Sequence, residues 1–143
     1  MTEAKTGWGG EFHLANGSGV LTELDEVVSF TLPNSVTDQI DASHLKSPGR
    51  RREKIAGMID DGDIQVIVNY VPGGATDVLI RARKASGNID DFMAVVPRET
   101  ADWEVNGTGF VSGWDRGEIV GDGIMRGTMT LTVSGDQTEA AAT

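Results

Sequence analysis

The sequence predicts a mainly β protein, an antiparallel β-sandwich or barrel of about seven strands with one flanking α-helix and one long loop. Three observations carry this. Short segments alternate apolar and polar residues, most clearly from Asp63 to Val71 and from Ile124 to Val133. Glycine supplies 19 of the 143 residues, and Thr and Val recur, a bias toward strands and turns. Only Ala75 to Ser86 carries the signals for both ends of a helix.

In chain order, Phe12 and Leu14 open the first strand, which runs into the turn Ala15-Asn16-Gly17-Ser18-Gly19. Asn-Gly supplies the positive φ of a tight hairpin. A second strand spans Val20 to Leu32, with Val28, Phe30 and Leu32 on one face and an interruption expected at Asp25-Glu26. Val36 to Ile40 is a short strand candidate. Asp63 to Val71 sets Ile64, Val66, Val68 and Tyr70 on one face. Ile67 and Val71 fall on the other, so that face is also expected to be partly covered. Pro72-Gly73-Gly74 stops this strand.

In the helix, Thr76 is the expected N-cap and Asp77 complements the positive end. Arg83 and Lys84 suit the negative end, and Gly87 suits C′. Val78, Leu79, Ala82 and Ala85 form the expected buried stripe, with Arg81, Arg83 and Lys84 facing solvent. Asp91 to Pro97 reads as a short strand with Phe92, Ala94 and Val96 on one side. Trp103 to Trp114 is either a hairpin turning at Asn106-Gly107 or one long strand in which Gly107, Gly109 and Gly113 allow close backbone approach. The last strand, Ile124 to Val133, sets Met125, Met129, Leu131 and Val133 against Arg126, Thr128, Thr130 and Thr132. The expected organisation is a mobile arm over residues 1–10, one domain over 11–134 and a mobile tail over 135–143.

Composition limits function. With no cysteine, disulfides and thiolate metal sites are excluded, and two histidines, His13 and His44, cannot build a histidine-rich centre. The N-terminus lacks the apolar core of a signal peptide, and no apolar run approaches the ~20 residues of a membrane span. A soluble protein folding in a reducing cytoplasm is expected. The net charge of -10 opposes nucleic-acid binding, which needs a basic face. It is compatible with a surface that DNA passes without sticking.

No enzymatic constellation emerges, and no cofactor is expected. Asp60-Asp61-Gly62-Asp63 lacks the spacing and downstream Glu of a calcium loop. His44 beside Ser43 has no nucleophile elbow around it. No phosphate-binding loop or dinucleotide fingerprint is present. The long loop, Ser43 to Gly62, has neither a strand nor a helix pattern, and such a stretch inside a compact domain is functional when it is real. It holds the one basic run, Gly49-Arg50-Arg51-Arg52-Glu53-Lys54, with Lys46, Ser47 and Pro48 just before it. In an acidic chain this run fits pairing with an acidic surface on another copy, a contact that fixes register and partner choice. A solvated loop is the plain alternative.

Several segments, in order, resemble the major tail tube proteins of lambda-like phages with long non-contractile tails. They are the Ala15–Gly19 turn, Ser29-Phe30-Thr31-Leu32-Pro33, Asp41-Ala42-Ser43 leading to Ser47-Pro48-Gly49, and Arg52-Glu53-Lys54-Ile55-Ala56-Gly57. Asp61-Gly62-Asp63 before a strand ending Asn69-Tyr70, Pro72-Gly73, Gly109-Phe110-Val111 and Thr130-Leu131-Thr132-Val133-Ser134-Gly135 complete the set. The triple Arg50-Arg51-Arg52 is more basic than the family pattern, and the appended immunoglobulin-like domain of some members is not expected here. The resemblance implies a non-enzymatic virion protein, assembled in the host cytoplasm. Six copies would join their sheets into rings that stack around a tape-measure protein, with tail-tip initiator and terminator proteins as further partners and DNA passing through. Lys46, Ser47, Pro48, Gly49, Arg50, Arg51, Arg52 and Lys54 are then candidates for contacts between subunits or rings. Asp60, Asp61 and Asp63 are candidates for the lumen or for inter-ring partners. Two competitors remain: the tube of a contractile or secretion system, and a β-sandwich binding module for glycans or a capsid. The module would need an exposed aromatic platform drawn from Trp8, Trp103 and Trp114.

Overall fold

The computed structural model describes residues 6–142. Nine strands and one helix follow one another: β1 (Glu11–Ala15), β2 (Leu21–Glu23), β3 (Val27–Phe30), β4 (Val36–Asp41), β5 (Lys54–Asp60), β6 (Asp63–Asn69), α1 (Ala75–Ser86), β7 (Asp90–Val96), β8 (Trp103–Asp115) and β9 (Arg126–Ala141). Seven strands form one antiparallel sheet in the order β2-β1-β7-β8-β9-β6-β3, and β4 pairs with β5 alone.

The position of β2 and β3 forces the sheet to curl. They are consecutive in the chain yet lie on opposite edges of the sheet. Only Leu24, Asp25 and Glu26 connect them, a span of roughly 10–14 Å at full extension. The two edges are therefore brought near each other at this corner without pairing. Leu24 donates its N–H to Phe12 O on β1 (2.9 Å), while Asn69 on β6 donates to Glu26 O (3.0 Å). Glu26 turns the corner in the left-handed region at φ 53°. Phe12 and Phe30 pack across the seam with ring centroids 5.8 Å apart. The expected interruption at Asp25-Glu26 is thus a corner between two separate strands, neither a bulge nor a bend within one.

Inside the curl the alternation places the core as the sequence predicts. Ile64, Val66 and Val68 from β6, Met129, Leu131 and Val133 from β9, and Phe92 and Ala94 from β7 are buried with Phe12, Leu14, Val105 and Val111. Each fully buried large apolar side chain contributes about 1.5–3 kcal/mol. β8 is one long strand, with register shifts at Gly107/Gly109 and Val111/Gly113. At Gly107 a Cβ would lie 2.8 Å from the Phe92 ring, and at Gly109 it would run into the Thr132 carbonyl, so these glycines let β8 press against its neighbours.

Several expectations are corrected. The loop over residues 43–62 is shorter: Lys54–Asp60 is β5, and only the tip between β4 and β5 is irregular. All but one of its residues are exposed, so neither face imposes the alternation that marks a half-buried strand. Residues 135–141, read as a mobile tail, are the second half of β9 and pair with β8 from Gly107↔Gln137 to Trp103↔Ala141. Of the expected N-terminal arm, residues 1–5 lie outside the described residues, and Gly7 to Gly10 form a turn closed by Gly10 N–H on Gly7 O (3.1 Å).

The helix has the expected limits, but its N-cap is Gly74, and the Thr76 hydroxyl instead accepts the Asp25 N–H (2.9 Å). Its buried face is Asp77 and Ile80, not Val78, Ala82 and Ala85, which are exposed. Arg83 does not face solvent freely. It donates to the buried Asp90 carboxylate at 3.0 Å. Asp77 is buried too: desolvation pushes its carboxyl up, but the Gly73 N–H, the Trp114 indole N–H and Arg81 outweigh that and hold it below the usual range.

Candidate assembly surface

β4 and β5 form a two-stranded arm that has no core of its own. Every β4 residue is exposed, as is every β5 residue except the half-buried Gly57. Ile40 lies directly opposite Ile55, and Ile59 opposite Thr37. These isoleucines, Val36 and Met58 are 50–82% exposed. A lone two-stranded ribbon is marginally stable in water, and an apolar ribbon standing in solvent marks a surface meant to be covered.

The tip between the strands is nevertheless ordered. Ala42 N–H donates to Glu53 O (2.8 Å), and Ser43 Oγ accepts the Glu53 N–H (2.6 Å). His44 N–H donates to Ser47 Oγ, which donates to the Glu53 carboxylate (2.9 and 3.2 Å). Pro48–Arg50 make a tight turn in which Gly49 and Arg50 take φ of 62° and 57°, and Arg51 N–H closes it on Pro48 O. The Ser43 side chain and N–H hold the Asp41 carboxyl below the usual range, with Lys54 adding to the effect.

The sequence-derived candidates sort cleanly along this arm. Lys46, Ser47, Pro48, Gly49, Arg50, Arg51 and Arg52 cluster at the tip, and Lys54 follows at the start of β5, its Nζ 3.3 Å from Gln39 Oε1. Arg52 pairs with Asp41 at 3.6 Å, whereas Lys46, Arg50 and Arg51 make no ion pair among the described residues. Asp60, Asp61 and Asp63 sit at the opposite end, where the arm joins β6. Asp60 Oδ1 accepts the Gly62 N–H (2.9 Å), and Asp61 accepts the Ser35 hydroxyl and Gln137 Nε2 (3.4 Å). A strand of this length keeps the two charge groups roughly 20 Å apart. One chain therefore cannot neutralise its own tip with its own base.

Sequence reasoning missed the apolar flanks of the arm. The signal was the run Ile55-Ala56-Gly57-Met58-Ile59 inside polar surroundings, visible but without a period. The aromatic platform that a binding module would need is not assembled. Trp103 and Trp114 sit at opposite ends of β8, Trp103 beneath Arg98 (5.0 Å) and Trp114 against Tyr70 with its indole N–H on Asp77 (3.1 Å). Only Trp8 is well exposed, at 87%.

The family described as lambda phage tail tube protein matches residues 10–140. This chain belongs to the lambda phage tail tube protein family. It is a structural component of a phage-type tail, and the family is not enzymatic. No curated protein matches the sequence.

Solved structures share the fold at low identity. The tail of an empty gene transfer agent particle, refined with C6 symmetry, superposes with a TM-score of 0.78 at 19% identity, covering 96% of this chain and all of the other. The SPP1 tail tube gives 0.70 at 15% identity, covering 97% of this chain and 80% of that one. The baseplate of the anti-feeding prophage gives 0.74 at 8% identity, covering 99% and 98%. The fold is thus shared across different kinds of particle, and the family match is to the lambda phage tail tube proteins.

Proposed function

We propose that this tail tube protein closes into hexameric rings that stack around a tape-measure protein, and that the arm of each copy seats on its neighbours. The observation that carries this reading is the arm itself: an ordered, apolar-flanked ribbon that its own chain leaves uncovered. The basic tip, Lys46 to Lys54, reaches an acidic surface of an adjacent subunit or ring, with Asp60, Asp61 and Asp63 as candidate partners. Copies join through their sheet edges, which removes the hazard of open β-edges in a soluble protein. The C6 symmetry of the gene transfer agent tail supports the ring size. The net charge of -10 favours a wall that repels phosphate as DNA passes. Initiator and terminator proteins cap the two ends.

Electron microscopy of the purified chain at rising concentration tests this, alone and with tape-measure and tail-tip proteins. Rings or hollow tubes are the expected result; small uniform particles under both conditions would overturn it. Reversing charge in the triple variant Arg50→Glu, Arg51→Glu, Arg52→Glu blocks stacking while the monomer stays folded. Normal tubes from that variant would remove the electrostatic role of the tip.

A further inference from the structure

The outer face of the β1–β2 pair carries an imidazole and two carboxylates in register. Glu11 and His13 stand two residues apart on β1, on the face opposite the buried Phe12 and Leu14. Glu23 on β2 lies directly across from His13. One donor atom from each of the three residues lies within 4.8 Å of the other two, and His13 Nε2 is 3.9 Å from Glu11 Oε1. The His13 side chain is 18% exposed, so the imidazole is held rather than waving in solvent.

Two features separate this cluster from an ordinary acidic patch. It includes a nitrogen donor, and no Lys or Arg pairs with either carboxylate among the described residues. Carboxylates held this close are relieved by a shared proton or by a cation.

We propose that Glu11, His13 and Glu23 form a binding site for a divalent transition-metal ion of the zinc, cobalt or nickel class. Two carboxylates neutralise a dication, and the imidazole supplies the donor that this class prefers. Calcium and magnesium are hard ions that prefer all-oxygen ligands, so an imidazole nitrogen in the set favours the transition-metal class over them. Donor distances of about 2.0–2.2 Å require the three groups to close in slightly, within the reach of side-chain rotation. Water completes the coordination, since β2 is an edge strand open to solvent. The ion would cross-link β1 to the edge strand, and nothing in the tube assignment requires it.

The test uses the full-length chain, stripped by chelation and titrated with cobalt(II) chloride, followed by calorimetry and visible absorption. One ion per chain is expected, with a rise in the thermal midpoint. Separate His13→Gln and Glu23→Gln variants, checked for fold by circular dichroism, bind at least about tenfold more weakly. On the unmutated chain, zinc shields His13 but not His44 from carbethoxylation read by peptide mass spectrometry. Absence of one-to-one binding, equal binding by both variants, or equal labelling of His13 with and without zinc would each overturn the site. Tube formation is not part of any readout, so the result stands apart from the assembly reading.

Discussion

The curled sheet and the β4–β5 arm are both antiparallel β-structure, yet they are stabilised in opposite ways. In the sheet, the strands β1, β6, β7, β8 and β9 each bury a face, and Phe12, Phe92, Ile64 and Leu131 are essentially inaccessible. In the arm, backbone pairing and a web of tip hydrogen bonds hold a ribbon whose isoleucines and Met58 face water. The sheet buries its apolar side chains within the chain, whereas the arm's apolar side chains are left exposed by their own chain. Under the proposed assembly, the basic tip and the acidic base, roughly 20 Å apart along one arm, would meet between chains.

The contrast can be broken at the core first. Phe92→Ala should cost about 3–5 kcal/mol in urea denaturation, because the ring is 1% exposed, stacks on Phe12 and seats against Gly107. The matching truncation in the arm, Ile40→Ala, should cost under about 1 kcal/mol, since that side chain is half exposed. Equal losses at the two sites would mean that the arm packs on its own chain after all.

An intermediate effect is expected where the helix meets the sheet. Asp77→Asn leaves the Trp114, Gly73 and Arg81 donors poorly matched and should cost about 1–3 kcal/mol. The ionised carboxylate is favoured in the folded chain, so its contribution is full above the unfolded carboxyl value of 3.8 and disappears as pH falls through the lower folded value. The variant should therefore lose less stability than the parent when acidified from about pH 5 to pH 2, as measured by thermal melts across that range.

The smallest effect on the monomer and the largest on assembly belong to the arm. Met58→Asp should shift monomer stability by no more than about 0.5 kcal/mol, because the side chain is 82% exposed. It should also abolish high-molecular-weight species in sedimentation. Wild-type sedimentation from this variant would show that the apolar flank of the arm is not an interface.

Much of the sheet was legible because burial on one face writes a period of two into the sequence. Ile64-Val66-Val68 and Met129-Leu131-Val133 are read correctly for that reason. β5 was not legible, because a strand wet on both faces carries no such period. The far half of β9 was read as a tail for a related reason. Gln137 to Ala141 pairs with β8 through backbone hydrogen bonds, which any polar sequence can make. The helix ends were readable from Asp77, Lys84 and Gly87, but its buried face was not. Asp77 is drawn inward by Trp114, distant in the chain, and Arg83 by Asp90, which lies beyond the helix end on β7. The candidate basic residues were found as a run of charges; that they form one ordered tip needed the hydrogen bonds from Ser43, Ser47 and Glu53.

By itself the sequence determined the all-antiparallel class, the single helix, most of the core and the family, because alternation, turn glycines and ordered local motifs are local properties. Only the tertiary structure decided that β2 and β3 lie at opposite edges and curl the sheet, that the loop is an arm, and that Glu11, His13 and Glu23 converge. Each of those depends on which distant segments share hydrogen bonds, and strand pairing is set by the fit of whole faces rather than by any residue's neighbours in the chain.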